Sequence, residues 1–93
     1  MITVIIERHI APDMSSTYEN FANKIIQATV SARGFISGES LCGVDDPNAR
    51  YIIVKMKSKE DWQHWLRSKQ RRELVTLVSP LLTIPEKVTL LTH

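Results

Sequence analysis

The sequence predicts an α+β fold, formed as one domain over residues 1–93, and three patterns carry that prediction. Several short runs are rich in β-branched residues, which favour strands. A longer segment, from Tyr18 to Val30, repeats apolar residues at helical spacing. A third segment holds both tryptophans, Trp62 and Trp65, directly behind a helix start signal. Ninety-three residues leave no room for two separate hydrophobic cores.

The first strand and the first helix occupy the N-terminal third of the chain. Residues 2–10 are apolar and β-branched apart from the polar triplet 7–9, so we expect a strand there. Ser16 followed by Glu19 forms a capping box, which predicts the start of a helix. Gly34 follows the apolar stripe as a helix stop signal.

A hairpin is expected next. Residues 35–43 have the character of a second strand, and residues 50–57 that of a third. Between them lies a turn cluster, residues 45–48, in which Pro47 and the neighbouring Asp and Asn residues favour turn geometry. A connection this short makes the two strands antiparallel neighbours.

The C-terminal part of the chain predicts two helical segments and a last strand. Ser58 is the expected N-cap of the tryptophan helix, and residues 71–82 form a further helical stretch that Pro80 bends or ends. Residues 86–92 make the last strand. The resulting order, β-α-β-β-α-β, is that of the ferredoxin-like plait, with an antiparallel sheet and both helical segments on one face.

The strands carry more apolar side chains than one sheet face can bury. An uncovered apolar face promotes aggregation, so we expect it to pack against a second copy of the chain in a homodimer. The apolar strand residues that prompt this expectation are Ile2, Val4, Ile6, Ile53 and Val88.

Composition narrows the classes of partner. A net charge of +2 is too small to indicate nucleic acid or an anionic membrane, and no apolar run approaches the ~20 residues of a membrane span. The single cysteine, Cys42, is expected to be buried, and it favours a cytoplasmic location together with an N-terminus that lacks a signal peptide. The basic residues of the helix junction are expected to form a solvated face or an anion-attracting rim; they are Arg67, Lys69, Arg71 and Arg72.

Several cofactor classes lack support. The three histidines, His9, His64 and His93, have no metal-ligand spacing, so we expect no metal. No glycine-rich phosphate loop is present, and we expect no nucleotide cofactor.

The element order, the segment Gly34 to Glu39 and the pattern from Lys57 through Trp65-Leu66 to Ser68 together resemble the antibiotic biosynthesis monooxygenase (ABM) family. The resemblance implies a dimeric α+β barrel with a pocket between sheet and helices, lined by a tryptophan of the second helix. Members of that family include cofactor-free oxygenases of phenols and quinones, haem-degrading oxygenases and proteins of unknown role.

The haem-degrading branch uses a first-strand asparagine, a second-helix tryptophan and a histidine ten residues later as iron ligand. Aligned on the same pattern, the tryptophan position is Trp65, the ligand position is Val75 and the asparagine position is Glu7. Valine cannot bind iron, so haem degradation by that route is disfavoured.

The resemblance to cofactor-free oxygenases implies an aromatic wall, a polar group and a cation that stabilises developing negative charge. Glu7 and Arg8 of the first strand are the candidate catalytic residues, and His9 or His64 are further acid–base candidates. The candidate substrate-binding residues are Trp65, Trp62, Phe21, Arg50 and Arg71.

Simpler interpretations stay open beside these. The two tryptophans can serve only as core anchors, and Glu7 can form a structural ion pair with Arg50 or with Arg8 of a second copy. We therefore expect either a cofactor-independent monooxygenase of a small aromatic or a non-catalytic dimer that binds a small hydrophobic ligand.

Overall fold

The computed structural model describes residues 1–93 and confirms the predicted α+β fold. Four strands form one antiparallel sheet in the order β2-β3-β1-β4, which is the strand order of the ferredoxin-like plait. The elements are β1 (Ile2–His9), α1 (Ser15–Val30), β2 (Phe35–Cys42), β3 (Ala49–Met56), α2 (Lys59–Leu66), α3 (Lys69–Val78), a 3-10 turn (Ser79–Leu81) and β4 (Lys87–Leu91). No helix is long and apolar enough to cross a membrane.

Two of the three helices begin at a serine cap. The Asp61 N–H donates to Ser58 Oγ at 3.1 Å, as predicted for α2, and the Arg71 N–H donates to Ser68 Oγ at 3.2 Å in α3. The capping box predicted for α1 is wrong, because that helix begins after Met14 with no side-chain cap.

The carboxylate of Glu19, which the capping box would have used, is engaged elsewhere. Arg50 Nη1 of β3 donates to Glu19 Oε1 at 3.0 Å, so the side chain links α1 to the sheet. A contact between distant segments has replaced the local one that the sequence favoured.

Gly34 connects α1 to β2 in a left-handed conformation with φ of 82°. A Cβ atom at this position would lie 2.2 Å from Asp61 Oδ2, so a side chain has no room there. Arg33 Nε donates to Asp61 Oδ1 at 2.8 Å beside it. The glycine therefore allows the α1–β2 connection to approach the start of α2.

Side chains alternate strictly along β1, and this alternation decides which residues face the helices. Val4, Ile6 and Arg8 are buried beneath the helices, each at most 5% exposed. The residues between them, including Ile5 and Glu7, point to the other face of the sheet.

The register assigns the remaining strands to the same two faces. Ile5 pairs with Ile53, which lies on the open face, whereas Ile6 pairs with Val88 on the helix-covered face. Of the apolar residues expected on the open face, Ile53 alone lies there; Ile2, Val4, Ile6 and Val88 contribute to the helix-side core. Successive side chains of a strand point to opposite faces, so Ile5, and not its neighbours Val4 and Ile6, shares the open face with Ile53.

The core consists of two clusters between the sheet and the helices. One joins the tryptophans of α2 to β1 and β3, and the other joins α1 to α3. Trp62 and Trp65 are 1% and 5% exposed, so both anchor the first cluster. The prediction that Cys42 is buried is wrong: it ends the edge strand β2, where it is exposed.

Candidate active site between sheet and helices

A cavity of about 50 Å³ lies between α1, α2 and the helix-covered face of the sheet. Nine of its 14 lining residues are hydrophobic. The exposed residues Val30, Gly38 and Glu39 lie at its mouth. The aliphatic part of the lining is Ile6, Ile52, Val54, Ile25, Ile26 and Val30.

Aromatic side chains form one wall of this cavity. Trp62 and Trp65 lie three residues apart on the buried face of α2, which the Ser58 cap places directly after β3. Phe35, at the start of β2, adds a third ring and is half-buried. The two tryptophans therefore serve both as core anchors and as cavity wall.

Two buried arginines form the polar end, and one carboxylate joins them. Arg8 Nε donates to Glu86 Oε2 at 3.0 Å, and Arg71 Nη2 donates to Glu86 Oε1 at 2.7 Å. Arg8 Nη1 also donates to the hydroxyl oxygen of Tyr18 at 3.2 Å. Both arginines line the cavity and are at most 5% exposed. The guanidinium of Arg71 lies 5.6 Å from the centroid of the Trp62 ring.

Three separate elements bring this cluster together. Arg8 occupies an inward position of β1, Arg71 lies in the first turn of α3 behind the Ser68 cap, and Glu86 directly precedes β4. Because β1 and β4 are hydrogen-bonded neighbours, Glu86 lies close to Arg8 despite a separation of 78 residues. The polar end of the cavity is thus fixed by sheet pairing.

The environment of Glu86 keeps its carboxylate ionised. Burial raises the pKa of Glu86, but the hydrogen bond and charge of Arg71 lower it, and Arg8 lowers it further. The net result is a pKa below the ordinary glutamate value. At neutral pH the cluster therefore holds two guanidinium cations and one carboxylate anion.

One nitrogen of the cluster has no partner. Arg8 Nη2 is the only buried side-chain nitrogen or oxygen of the protein without a hydrogen bond. Buried polar groups are nearly always paired, because leaving one unpaired costs about 1–3 kcal/mol. Nη2 is therefore a donor with free capacity on a residue that lines the cavity.

The structure brings together four of the seven predicted site residues: Arg8, Trp62, Trp65 and Arg71. Glu7 does not stand opposite the tryptophan wall, because strand alternation points it to the open face. There Glu7 Oε1 lies 3.9 Å from His9 Nε2. The expectation that Glu7 and Arg8 share one site is corrected by this geometry.

Phe21 and Arg50 also lie outside the cavity. Phe21 packs against the cluster between α1 and α3, with Lys24 Nζ 5.7 Å from its ring centroid. Arg50 lies on the same sheet face as its cross-strand partner Arg8, but it lines a different groove, between α1 and β2. Arg8 and Arg50 therefore share a face of the sheet but lie at different places on it, and of the two only Arg8 lines the cavity.

The remaining acid–base and haem positions lie elsewhere. His64 is exposed on α2, as its helical angle predicted, and does not line the cavity. Val75 lines a groove beside the loop that precedes β4.

Sequence reasoning missed Glu86, Tyr18 as a polar group, and Phe35. A signal for Glu86 existed, since an arginine on the buried side of a strand requires an anion, and Glu7 points the wrong way. The sequence pattern presents Tyr18 only as part of the apolar stripe of α1, although a buried tyrosine hydroxyl normally takes a hydrogen-bond partner.

Comparisons with known proteins agree with this architecture. The sequence profile of the family described as antibiotic biosynthesis monooxygenase matches residues 1–77. A solved antibiotic biosynthesis monooxygenase is 15% identical, with a TM-score of 0.92 over 100% of this chain and 98% of that chain. Rv0793 from Mycobacterium tuberculosis is 22% identical, with a TM-score of 0.89 over 99% of this chain and 93% of that chain.

A third similar structure is that of SnoaB, a cofactor-independent oxygenase from Streptomyces nogalater. It is 15% identical, with a TM-score of 0.86 over 99% of this chain and 92% of that chain. At sequence identities of 15–22%, these structural similarities show a shared fold and nothing about substrate or activity. No curated protein sequence matches the chain significantly.

Proposed function

The chain belongs to the antibiotic biosynthesis monooxygenase family, and from that premise we propose that it is a cofactor-independent monooxygenase of a small phenol-like or quinone-like aromatic. The observation that carries the proposal is a single cavity with two buried indoles and two buried guanidinium groups. Such a site offers an aromatic wall for the ring and positive charge for an oxygen anion.

The chemistry requires no electron source beyond the substrate. A phenol with an unsubstituted para position reacts with dioxygen to give a para-quinone and water, so one oxygen atom enters the product and the other leaves as water. The phenolate first transfers one electron to dioxygen, the two radicals combine at the para carbon, and the resulting peroxide loses water. The phenol proton and the ring proton both end in that water.

The residues of the cavity supply charge stabilisation and exclusion of water. Arg8 and Arg71 stabilise the phenolate and the negative charge that passes to oxygen. The tryptophans hold the ring and keep bulk water from the radical pair. Glu7 has no part in this scheme because it lies on the other sheet face.

Occupancy requires the mouth of the cavity to widen. The present volume of about 50 Å³ is smaller than the roughly 150 Å³ of a cavity that binds benzene. Val30 is exposed and Phe35 is half-buried at this rim, so neither is fixed by close packing on all sides. Rotation of these side chains is the movement that we expect on binding.

Oxygen consumption with 1-naphthol and anthrones, without flavin and in the presence of a metal chelator, tests the proposal. We expect uptake above that of heat-denatured protein, one quinone formed per dioxygen, and incorporation of ¹⁸O from labelled dioxygen. Absence of uptake with every compound would contradict it.

The two phenylalanines of the chain provide a matched pair of variants. Both are half-buried, but Phe35 lines the cavity and Phe21 does not. Phe35→Leu is expected to change the KM for the aromatic, and Phe21→Leu to leave it unchanged. The opposite result would favour the sequence-based assignment of Phe21 to the site.

A binding protein without turnover is the second candidate, and the small volume of the cavity favours it. In that case an aromatic quenches the fluorescence of the two cavity tryptophans, yet no dioxygen is consumed. The same panel of compounds therefore distinguishes enzyme from binder.

We further propose that the protein acts as a homodimer through the open face of the sheet. Ile5 and Ile53 are adjacent there and only partly covered in the single chain, so a second copy would bury apolar surface. Light scattering should give a dimer for the native chain and a monomer for Ile53→Lys. Leu77→Lys, on the exposed side of α3, is the control expected to stay dimeric.

We also propose a cytoplasmic location. Its support is the single cysteine, which leaves no pair for an intramolecular disulfide.

A further inference from the structure

We propose that the cavity selects ligands carrying one anionic oxygen, either a phenolate or a carboxylate, and that Arg8 Nη2 binds that oxygen. The inference rests on the proposed function only in placing the substrate in the same cavity. The proposed function already places an oxygen anion beside the two guanidinium groups. The inference adds the atom that recognises this anion, Arg8 Nη2, and extends the class of ligand to carboxylates.

The first argument is geometric. Arg8 is held by two elements at once, since its Nε donates to Glu86 and its Nη1 donates to Tyr18. These bonds fix the guanidinium plane and leave Nη2 as its one nitrogen without a partner. Nη2 is itself buried, so the widening of the cavity that binding requires has to bring the ligand oxygen to it. Tyr18 acts as a positioning residue, because it lies behind Arg8 and does not line the cavity.

The second argument is the charge of the buried cluster. Arg8 and Arg71 contribute two positive charges and Glu86 one negative charge, which leaves one positive charge in excess. The only other charged residue of the lining is Glu39, which is exposed at the mouth, where water and salt screen it. A buried uncompensated charge is costly, so an anion that neutralises it gains binding energy.

The third argument concerns size and valence. One excess positive charge matches a monoanion, and an apolar lining with tryptophan walls matches a planar ring better than a strongly hydrated phosphate dianion. A neutral ligand or a water molecule could occupy the Nη2 donor but would leave the charge in place. An aromatic monoanion satisfies the donor, the charge and the wall together.

Binding of paired nitroaromatics to the wild-type protein tests this inference. The anion 4-nitrobenzoate is compared with neutral 4-nitrobenzamide, and 4-nitrophenolate with neutral 4-nitroanisole. The nitro group makes these rings electron-poor, so binding is measured without oxidation. Both tryptophans line the cavity, and quenching of their fluorescence reports occupancy directly.

We expect the anion of at least one pair to bind about 10- to 100-fold more tightly, as for a charge-assisted hydrogen bond. A preference confined to the carboxylate pair or to the phenolate pair identifies which oxygen the site takes. Equal affinity of anion and neutral compound in both pairs would overturn the proposal.

The variants assign the preference to Arg8. Arg8→Met should abolish it, and Arg8→Lys, which keeps the charge but lacks Nη2, should reduce it. Arg50→Met is the matched control, because Arg50 is the cross-strand partner of Arg8 but lines another groove. A preference that survives in Arg8→Met, or that is as large in Arg8→Lys as in the wild type, would contradict the assignment. If Arg8→Met does not fold, the comparison of Arg8→Lys with the wild type still tests whether Arg8 causes the preference for the anion.

This test is independent of turnover. Anion selectivity without oxygen consumption would retain the site and reject the oxygenase. Oxygen consumption without anion selectivity would retain the oxygenase and reject the site.

Discussion

Replacing Glu86 by glutamine should destabilise the protein far more than the same change at an exposed glutamate. Glu86 uses both carboxylate oxygens, one for Arg71 at 2.7 Å and the other for Arg8 at 3.0 Å. A glutamine offers one oxygen, so one guanidinium would face an amide donor. The substitution also leaves two buried cations without their counterion.

The size of the effect follows from the burial of the partners. The side chains of Arg8, Arg71 and Glu86 are 1%, 6% and 16% exposed. Breaking a buried ion pair by removing one partner costs about 3–5 kcal/mol, and the partial exposure of Glu86 places the expectation near 3 kcal/mol. That is a large fraction of the roughly 5–14 kcal/mol expected for a domain of this length.

Glu73→Gln is the matched control. Its side chain is 66% exposed, and its partner Lys69 is 83% exposed at a distance of 3.7 Å. A surface pair at this helical spacing is worth at most about 0.5 kcal/mol. Urea unfolding followed by tryptophan fluorescence, at one fixed protein concentration, compares the two variants.

A loss for Glu86→Gln no larger than that for Glu73→Gln would refute the reasoning. It would mean that water reaches the arginines well enough to replace the carboxylate. The proposed charge excess at Arg8 would lose its physical basis at the same time.

Three further predictions concern stability. The pKa of Glu86 is lowered in the folded state, so its contribution to stability is complete above the unfolded pKa of about 4.5 and is lost as pH falls through the folded pKa. Urea unfolding from pH 6 to pH 2.5 should therefore show the gap in stability between wild type and Glu86→Gln closing at the acidic end of this range. Gly34→Ala should cost at least about 1–2 kcal/mol in urea unfolding, since Gly34 has φ of 82° and a Cβ there meets Asp61, whereas Gly38→Ala should cost less. Trp62→Ala should cost about 3–5 kcal/mol in urea unfolding, because this side chain is 1% exposed in the core.

Each of these predictions has a result that would count against it. A gap that does not change with pH would show that the arginines do not lower the pKa of Glu86 in the folded protein. Equal effects at Gly34 and Gly38 would mean that the connection after α1 adapts without strain. A loss below about 1 kcal/mol for Trp62→Ala would show that α2 is not anchored by that indole.

Much of the fold could be predicted because its signals are local. Strand and helix periodicity, the Ser58 cap and the helix-ending Pro80 act within a few residues, and each has its expected role in the structure. The Ser16 and Glu19 capping box failed for the complementary reason. Its glutamate found a better partner in Arg50, 31 residues away, which no local pattern indicates.

The candidate site was predictable only in part. Trp62, Trp65 and Arg71 reach the cavity from two consecutive helices, and both helix starts are marked by serine caps. Glu7 lies outside the site although a carboxylate beside an arginine suggests a shared one, because neighbouring residues of β1 take opposite faces of the sheet.

The sequence by itself determined the order of elements, the family and the aromatic wall, since these depend on periodicity and short motifs. Only the tertiary structure decided the polar end of the cavity. Arg8 and Glu86 are 78 residues apart and meet because β1 pairs with β4, and Arg71 joins them from the first turn of α3, where its Nη2 donates to Glu86. Burial then leaves Arg8 Nη2 without a partner, a property of the assembled site that neither strand carries alone.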